Sequence, residues 1–183
     1  HQGAAQRSRH SDTDGDAEGW DLGVETDAVS GVTASGGSLI GTITALDPEI
    51  GATGFSVDPS TVTHVVIRMR VNAVTDRAQV GWGHTASPID PNKFLAFETG
   101  RANQWHTFVL DVNANPNWNI GQNVDLFRVD VSQGGGPAGG PANFEIDYIR
   151  FCTTTNFPAS AWNVAVTDAG EIDHTVRLTS ATV

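Results

Sequence analysis

The chain has 183 residues, enough for one domain with a full-sized core and too few for two comfortable ones. Ten Lys and Arg stand against 21 Asp and Glu, a formal net charge of −11 that repels phosphate backbones and argues against nucleic acid as a partner. No apolar run approaches the ~20 residues needed to span a bilayer, and the single cysteine, Cys152, excludes an intrachain disulfide and a Cys/His zinc spacing.

Acidity at this level keeps a protein soluble outside a cell and supplies oxygen ligands for calcium. Lys93 is the only lysine and Met69 the only methionine. The chain begins His1-Gln2-Gly3 rather than with an initiator methionine, so either a leader or an artificial end is expected to have been cut away, and secretion is the expectation. Cys152 reads as a small buried apolar residue; an intermolecular disulfide is the sharper alternative.

In chain order, residues 1–11 are polar and patternless, a flexible arm. An acidic run follows, Asp-Thr-Asp-Gly-Asp-Ala-Glu-Gly-Trp (12–20). It is not an EF-hand: Ala17 stands where the loop needs glycine, and Gly23 where it needs glutamate. Short strands are predicted over 31–34, 38–45, 63–72, 77–84, 93–98, 106–112, 124–131 and 143–151, with Gly, Pro, Asn and Asp between them. Over 63–71, Val65, Ile67, Met69 and Val71 alternate with His64, Val66, Arg68 and Arg70.

Asp47-Pro48, Asp58-Pro59, Ser87-Pro88, Asp90-Pro91 and Asn115-Pro116 mark turns. The glycine-rich stretch 133–141 reads as a long exposed loop. In Asn-Phe-Glu-Ile-Asp-Tyr-Ile-Arg-Phe (143–151), strict alternation points Phe144, Ile146 and Tyr148 to one side and Glu145 and Asp147 to the other. A C-terminal β extension over 153–183 holds two further strand-like runs, 161–167 and 174–183, with a hairpin turn at 168–171. The fold class is all-β, an antiparallel β-sandwich with main domain 12–152.

Nine segments together resemble a secreted jelly-roll module with a galactose-binding-like fold, of the kind found among carbohydrate-binding modules. They are 12–20, Gly-Gly-Ser-Leu (36–39), Asp-Pro-Glu-Ile (47–50), Val-Val-Ile-Arg-Met-Arg-Val (65–71) and Gln-Val-Gly-Trp (79–82). Gln-Trp-His-Thr-Phe-Val-Leu-Asp-Val (104–112), Asn-Trp-Asn-Ile-Gly (117–121), Leu-Phe-Arg-Val-Asp (126–130) and Phe-Glu-Ile-Asp-Tyr-Ile-Arg-Phe (144–151) complete the set. The resemblance covers about 12–152. It implies that first and last strands lie close, with Asp16 or Glu18 and Asp147 sharing a structural Ca2+ completed by backbone carbonyls. The plain alternative is a solvated acidic turn.

Sugars are held by stacking their C–H faces on aromatic rings while planar polar side chains bond the hydroxyls. Trp82, Trp105 and Trp118, with Arg68, Arg70, Gln79, Arg128 and Asp130, are the candidates for such a face. Trp105 points away from Phe108 and Leu110 and is the best placed; Trp20 and Trp162 read as core. The arginines can equally be cross-strand partners of Asp130 or Glu98.

Hydrolase motifs and phosphate loops are absent. A copper brace at His1 with His84 or His106 loses to the plainer reading of a trimmed end, and jelly roll is the wrong sandwich for it. The expectation is a non-catalytic, extracellular, calcium-stabilised module whose partner is a polysaccharide or glycan. The alternative is a structural subunit of an extracellular filament or virion appendage. It would join copies of itself by exchange of the arm or of the tail strand 175–183.

Overall fold

The computed structural model describes residues 7–10, 25–73, 77–99, 103–133 and 142–153. They form β1 (Arg7–His10), β2 (Val29–Ser35), β3 (Ser38–Ile43), β4 (Glu49–Ala52) and β5 (His64–Asn72). Next come β6 (Arg77–His84), β7 (Phe94–Glu98), β8 (His106–Asp111), a 3-10 turn at Val112–Ala114, β9 (Val124–Asp130) and β10 (Ala142–Cys152). All pairings are antiparallel. The first sheet runs β2-β3-β10-β5-β8, with β1 also on β10; the second runs β4-β9-β6-β7.

Alternation puts one side of each strand into the interface between the sheets. Leu39, Ile43, Val65, Ile67, Met69, Phe144 and Ile146 from the first sheet meet Ile50, Val80, Trp82, Phe127 and Val129 from the second in one buried cluster. Gly41 is needed there, because a Cβ would lie 2.5 Å from the Phe144 ring.

All eight predicted strands are present, 77–84 with its predicted ends and the other seven with shifted ends, and two more were not foreseen. β4 is only four residues long and follows the Asp47-Pro48 step, so it was hidden by turn chemistry. β1 lies within the stretch read as an arm. β3 pairs with β10 only as far as Ile146, and β1 takes up the free edge from Tyr148 to Phe151 on its own chain. The adjacency of β1 to the last strand was not foreseen, and the 12–20 segment that the resemblance set against Asp147 lies outside the described residues. Residues 154–183, including both tail runs and the strand suggested for exchange, lie outside the described residues.

Strict alternation fails in β10. The pairing with β5 shifts between Ile146 and Tyr148, a β-bulge that leaves Asp147 as the extra residue. Beyond it the phase flips: Ile149 and Phe151 are buried, while Tyr148 and Arg150 stack on the outer face, guanidinium to ring 4.0 Å. The expectation that Tyr148 shares a side with Phe144 and Ile146 is corrected accordingly. Cys152 is buried beside this end, and burial pushes its thiol up against the pull of Arg150, as befits an inert packed side chain.

Candidate functional site

The expected aromatic and polar residues do not share a face. Trp82 and Trp118 are core residues, each 0% exposed, with rings edge to face at 5.3 Å. Trp82 Nε1 donates to the Asn117 carbonyl at 3.0 Å and Trp118 Nε1 to the Val62 carbonyl at 2.8 Å. Wholly buried rings offer no surface to a sugar, so both are corrected from binding candidates to structural anchors. The other candidates separate onto the two outer faces of the sandwich.

The second sheet carries the denser cluster. In β9, Phe127 and Val129 point inward, so Leu126, Arg128 and Asp130 point out. Register then lays two rows across four strands. One is Gly51–Arg128–Gly81–Phe94; the other is Glu49–Asp130–Gln79–Ala96. Glycine on either side leaves room for the Arg128 side chain between its strand neighbours. Phe94 fills the space that Gly81 leaves, since a Cβ there would sit 2.6 Å from its ring. Arg128 lies over that ring at 4.8 Å.

Three carboxylates surround this guanidinium. Arg128 Nη1 lies 2.9 Å from Glu25 Oε2 and 2.8 Å from Glu49 Oε2. Nη2 donates to Asp130 Oδ2 at 3.2 Å, and Nε approaches Oδ1 at 2.7 Å without hydrogen-bond alignment. Gln79 Nε2 donates to Asp130 Oδ2, and Gln133 Nε2 to Gln79 Oε1 at 2.9 Å. Although they face away from the core, these groups are well shielded: side-chain exposure is 0% for Asp130, 14% for Arg128 and 18% for Glu49. Burial raises the Asp130 pKa against the hydrogen bond from Gln79 and the charge of Arg128. Burial also raises Glu49, against Arg128 and with help from Asp130, Asp47 and Glu25. This shielded polar network beside an aromatic ring makes the outer face of the second sheet the candidate site.

Glu25, Glu49, Phe94 and Gln133 were missed by sequence reasoning. The available signal was glycine inside strands, at Gly51 and Gly81, which marks close approach of other groups.

On the first sheet, Trp105 stands beside Arg68 and Arg70, guanidinium carbons 4.5 and 4.9 Å from its ring. Arg68 Nη1 pairs with Asp147 Oδ2 and Arg70 Nη2 with Glu145 Oε1, both at 2.6 Å. Trp105 is half-buried, just before β8, and lies with these arginines on the outer face. Asp147, the one described residue of the expected calcium set, thus has one oxygen on a guanidinium. Asp16 and Glu18 lie outside the described residues, and among the described residues no three His, Cys, Asp or Glu side chains converge on a metal position.

The only lysine is also structural. Lys93 is buried, and its Nζ donates to the Ser87 carbonyl at 2.9 Å, to Ser87 Oγ at 2.6 Å and to the Pro88 carbonyl at 2.6 Å, tying down the turn before β7.

No protein-family model and no curated protein matches the chain. Solved structures do. The low affinity xylan binding module CBM86 from the gut symbiont Roseburia intestinalis matches at 8% identity and a TM-score of 0.53, over 83% of this chain and 98% of that one. A variant of a family 29 carbohydrate binding module matches at 12% identity and 0.56, over 82% and 93%. Another variant, complexed with mannohexaose, matches at 11% and 0.54, over 81% and 92%. Identities this low carry the fold alone. The chain has the antiparallel β-sandwich fold shared with these carbohydrate-binding modules.

Proposed function

We propose that this chain is a non-catalytic carbohydrate-binding module of an extracellular protein, holding a polysaccharide on the outer face of the second sheet. The observation that carries this reading is the row Gly51–Arg128–Gly81–Phe94, with Glu49, Asp130 and Gln79 beside it. Phe94, with the Arg128 guanidinium over its ring, supplies the apolar contact for a sugar's C–H face beside the polar row. Arg128 and Gln79 donate to hydroxyls, and Glu49 accepts. Glu49 and Asp130 both bind one guanidinium, whereas cleavage needs two carboxyl groups set on opposite sides of the bond. Similar folds described as xylan binding or complexed with mannohexaose support the ligand class.

The test is native gel electrophoresis of the protein through soluble polysaccharides, xylan and glucomannan among them. Retardation is expected for the wild type, with Phe94→Ala or Arg128→Gln weakening binding about tenfold, equivalent to ~1.4 kcal/mol. Uniform mobility across the panel would sink the reading. The calcium shared by Asp16 or Glu18 with Asp147 is a separate proposal resting on sequence pattern. EDTA should then lower the melting temperature, and an unchanged melt would remove the metal from the account.

A further inference from the structure

The geometry points to a second polysaccharide-binding face on the first sheet, centred on Trp105, so that one domain bridges two chains. It rests on the ligand class proposed above and adds a site on the opposite side of the sandwich. Arg68 and Arg70 of β5, Thr107 of β8 and Trp105 just before β8 come together on this face, with Thr107 opposite Arg68. Asp147 pairs with Arg68 and Glu145 with Arg70. Guanidiniums already paired with carboxylates and laid against the indole suit an uncharged, polyhydroxylated chain that contacts the exposed part of the ring better than a polyanion. Thr107 Oγ1 and Arg70 Nε are shielded, and neither finds a hydrogen-bond partner. Thr107 is only 6% exposed, an unpartnered hydroxyl beneath the same face.

Packed sheets stand ~10 Å apart, with outer side chains adding to that span, so an extended chain stacked on one outer face does not reach the other. Two occupied faces mean two chains. The plainer role for Trp105, a cover over a charge ladder, gives no bridging.

The experiment uses the full chain with soluble xylan and glucomannan for turbidity, and with xylohexaose and mannohexaose for calorimetric stoichiometry. The wild type is expected to cross-link one polymer, clearing in excess protein, and to bind its hexasaccharide at two sites. Trp105→Ala should keep binding at the Phe94 face, which also reports that it is folded, yet lose turbidity and fall to one site. Phe94→Ala should also fall to one site. A Trp105→Ala protein that still cross-links overturns the second face and leaves the proposed function standing. A wild type with one site lost on Phe94→Ala does the same. One site lost only on Trp105→Ala overturns both the bridging and the assignment of the second sheet. No binding by the wild type removes both.

Discussion

Arg128 reaches three carboxylates and a ring because the residues beside it, Gly51 and Gly81, have no side chains. Gly81 is the more exacting of the two. A methyl group there meets Phe94 Cε1 at 2.6 Å, and the ring must leave its place over the strand. Gly81→Ala is expected to cost ~1–3 kcal/mol in denaturant titrations, the range for overpacking, and to weaken polysaccharide retention about tenfold. An alanine variant with wild-type retention would show that the position of Phe94 is irrelevant to the site. Lys93 illustrates what a sequence hides at this scale. A lone lysine in an acidic chain reads as solvated, whereas this one is buried on two carbonyls and a hydroxyl. Trp82 and Trp118 misled in the same way, since nothing in their neighbours' sequence tells a core indole from a surface one.

Among the elements, β10 decides how the first sheet presents its charges. The bulge at Asp147 turns Ile149 and Phe151 inward and Tyr148 outward. Ile149→Ala should therefore cost ~2–5 kcal/mol as a large-to-small core change. Tyr148→Ala should cost less than ~1 kcal/mol as a surface change. Urea midpoints in the reverse order would mean that the strand runs without a bulge. Period-two patterning made eight strands legible, because each buries one side against the opposite sheet. It could not reveal an inserted residue, which leaves composition unchanged and shifts only the phase. β4 escaped for another reason: four residues after a proline step are too few to show alternation. At the site, Arg128, Gln79 and Asp130 were legible as outward polar residues on strands. Their partners Glu25 and Phe94 were not, because pairing across sheet registers joins residues far apart in sequence.

For the whole molecule, the charges predict a particular response to pH. Burial raises the native pKa values of Glu49 and Asp130 from their ordinary values. The native state therefore holds their protons more tightly than the unfolded chain does. Their contribution to stability is complete below the ordinary value of ~4 and is lost as pH rises through the raised native values. Asp58, lowered by the Ser60 hydroxyl and N–H, and Asp90, lowered chiefly by the Asn92 N–H, act in the opposite sense as pH falls. Comparing variants isolates the site. Between about pH 4 and pH 7, Glu49→Gln should gain stability relative to the wild type as pH rises. A difference that stays constant, or shrinks with rising pH, would show that Glu49 is not shielded.

The outer face of the second sheet as a polysaccharide-binding surface is the central claim, and amide chemical-shift mapping tests it most directly. Uniformly 15N-labelled protein is titrated with xylohexaose and mannohexaose. The predicted result is a contiguous set of shifts at Gly51, Gly81, Phe94, Ala96 and Arg128, on neighbouring strands of one sheet, with the Trp105 indole N–H reporting the opposite face separately. Shifts that avoid β4, β6, β7 and β9, or a spectrum unmoved by either sugar, would contradict it.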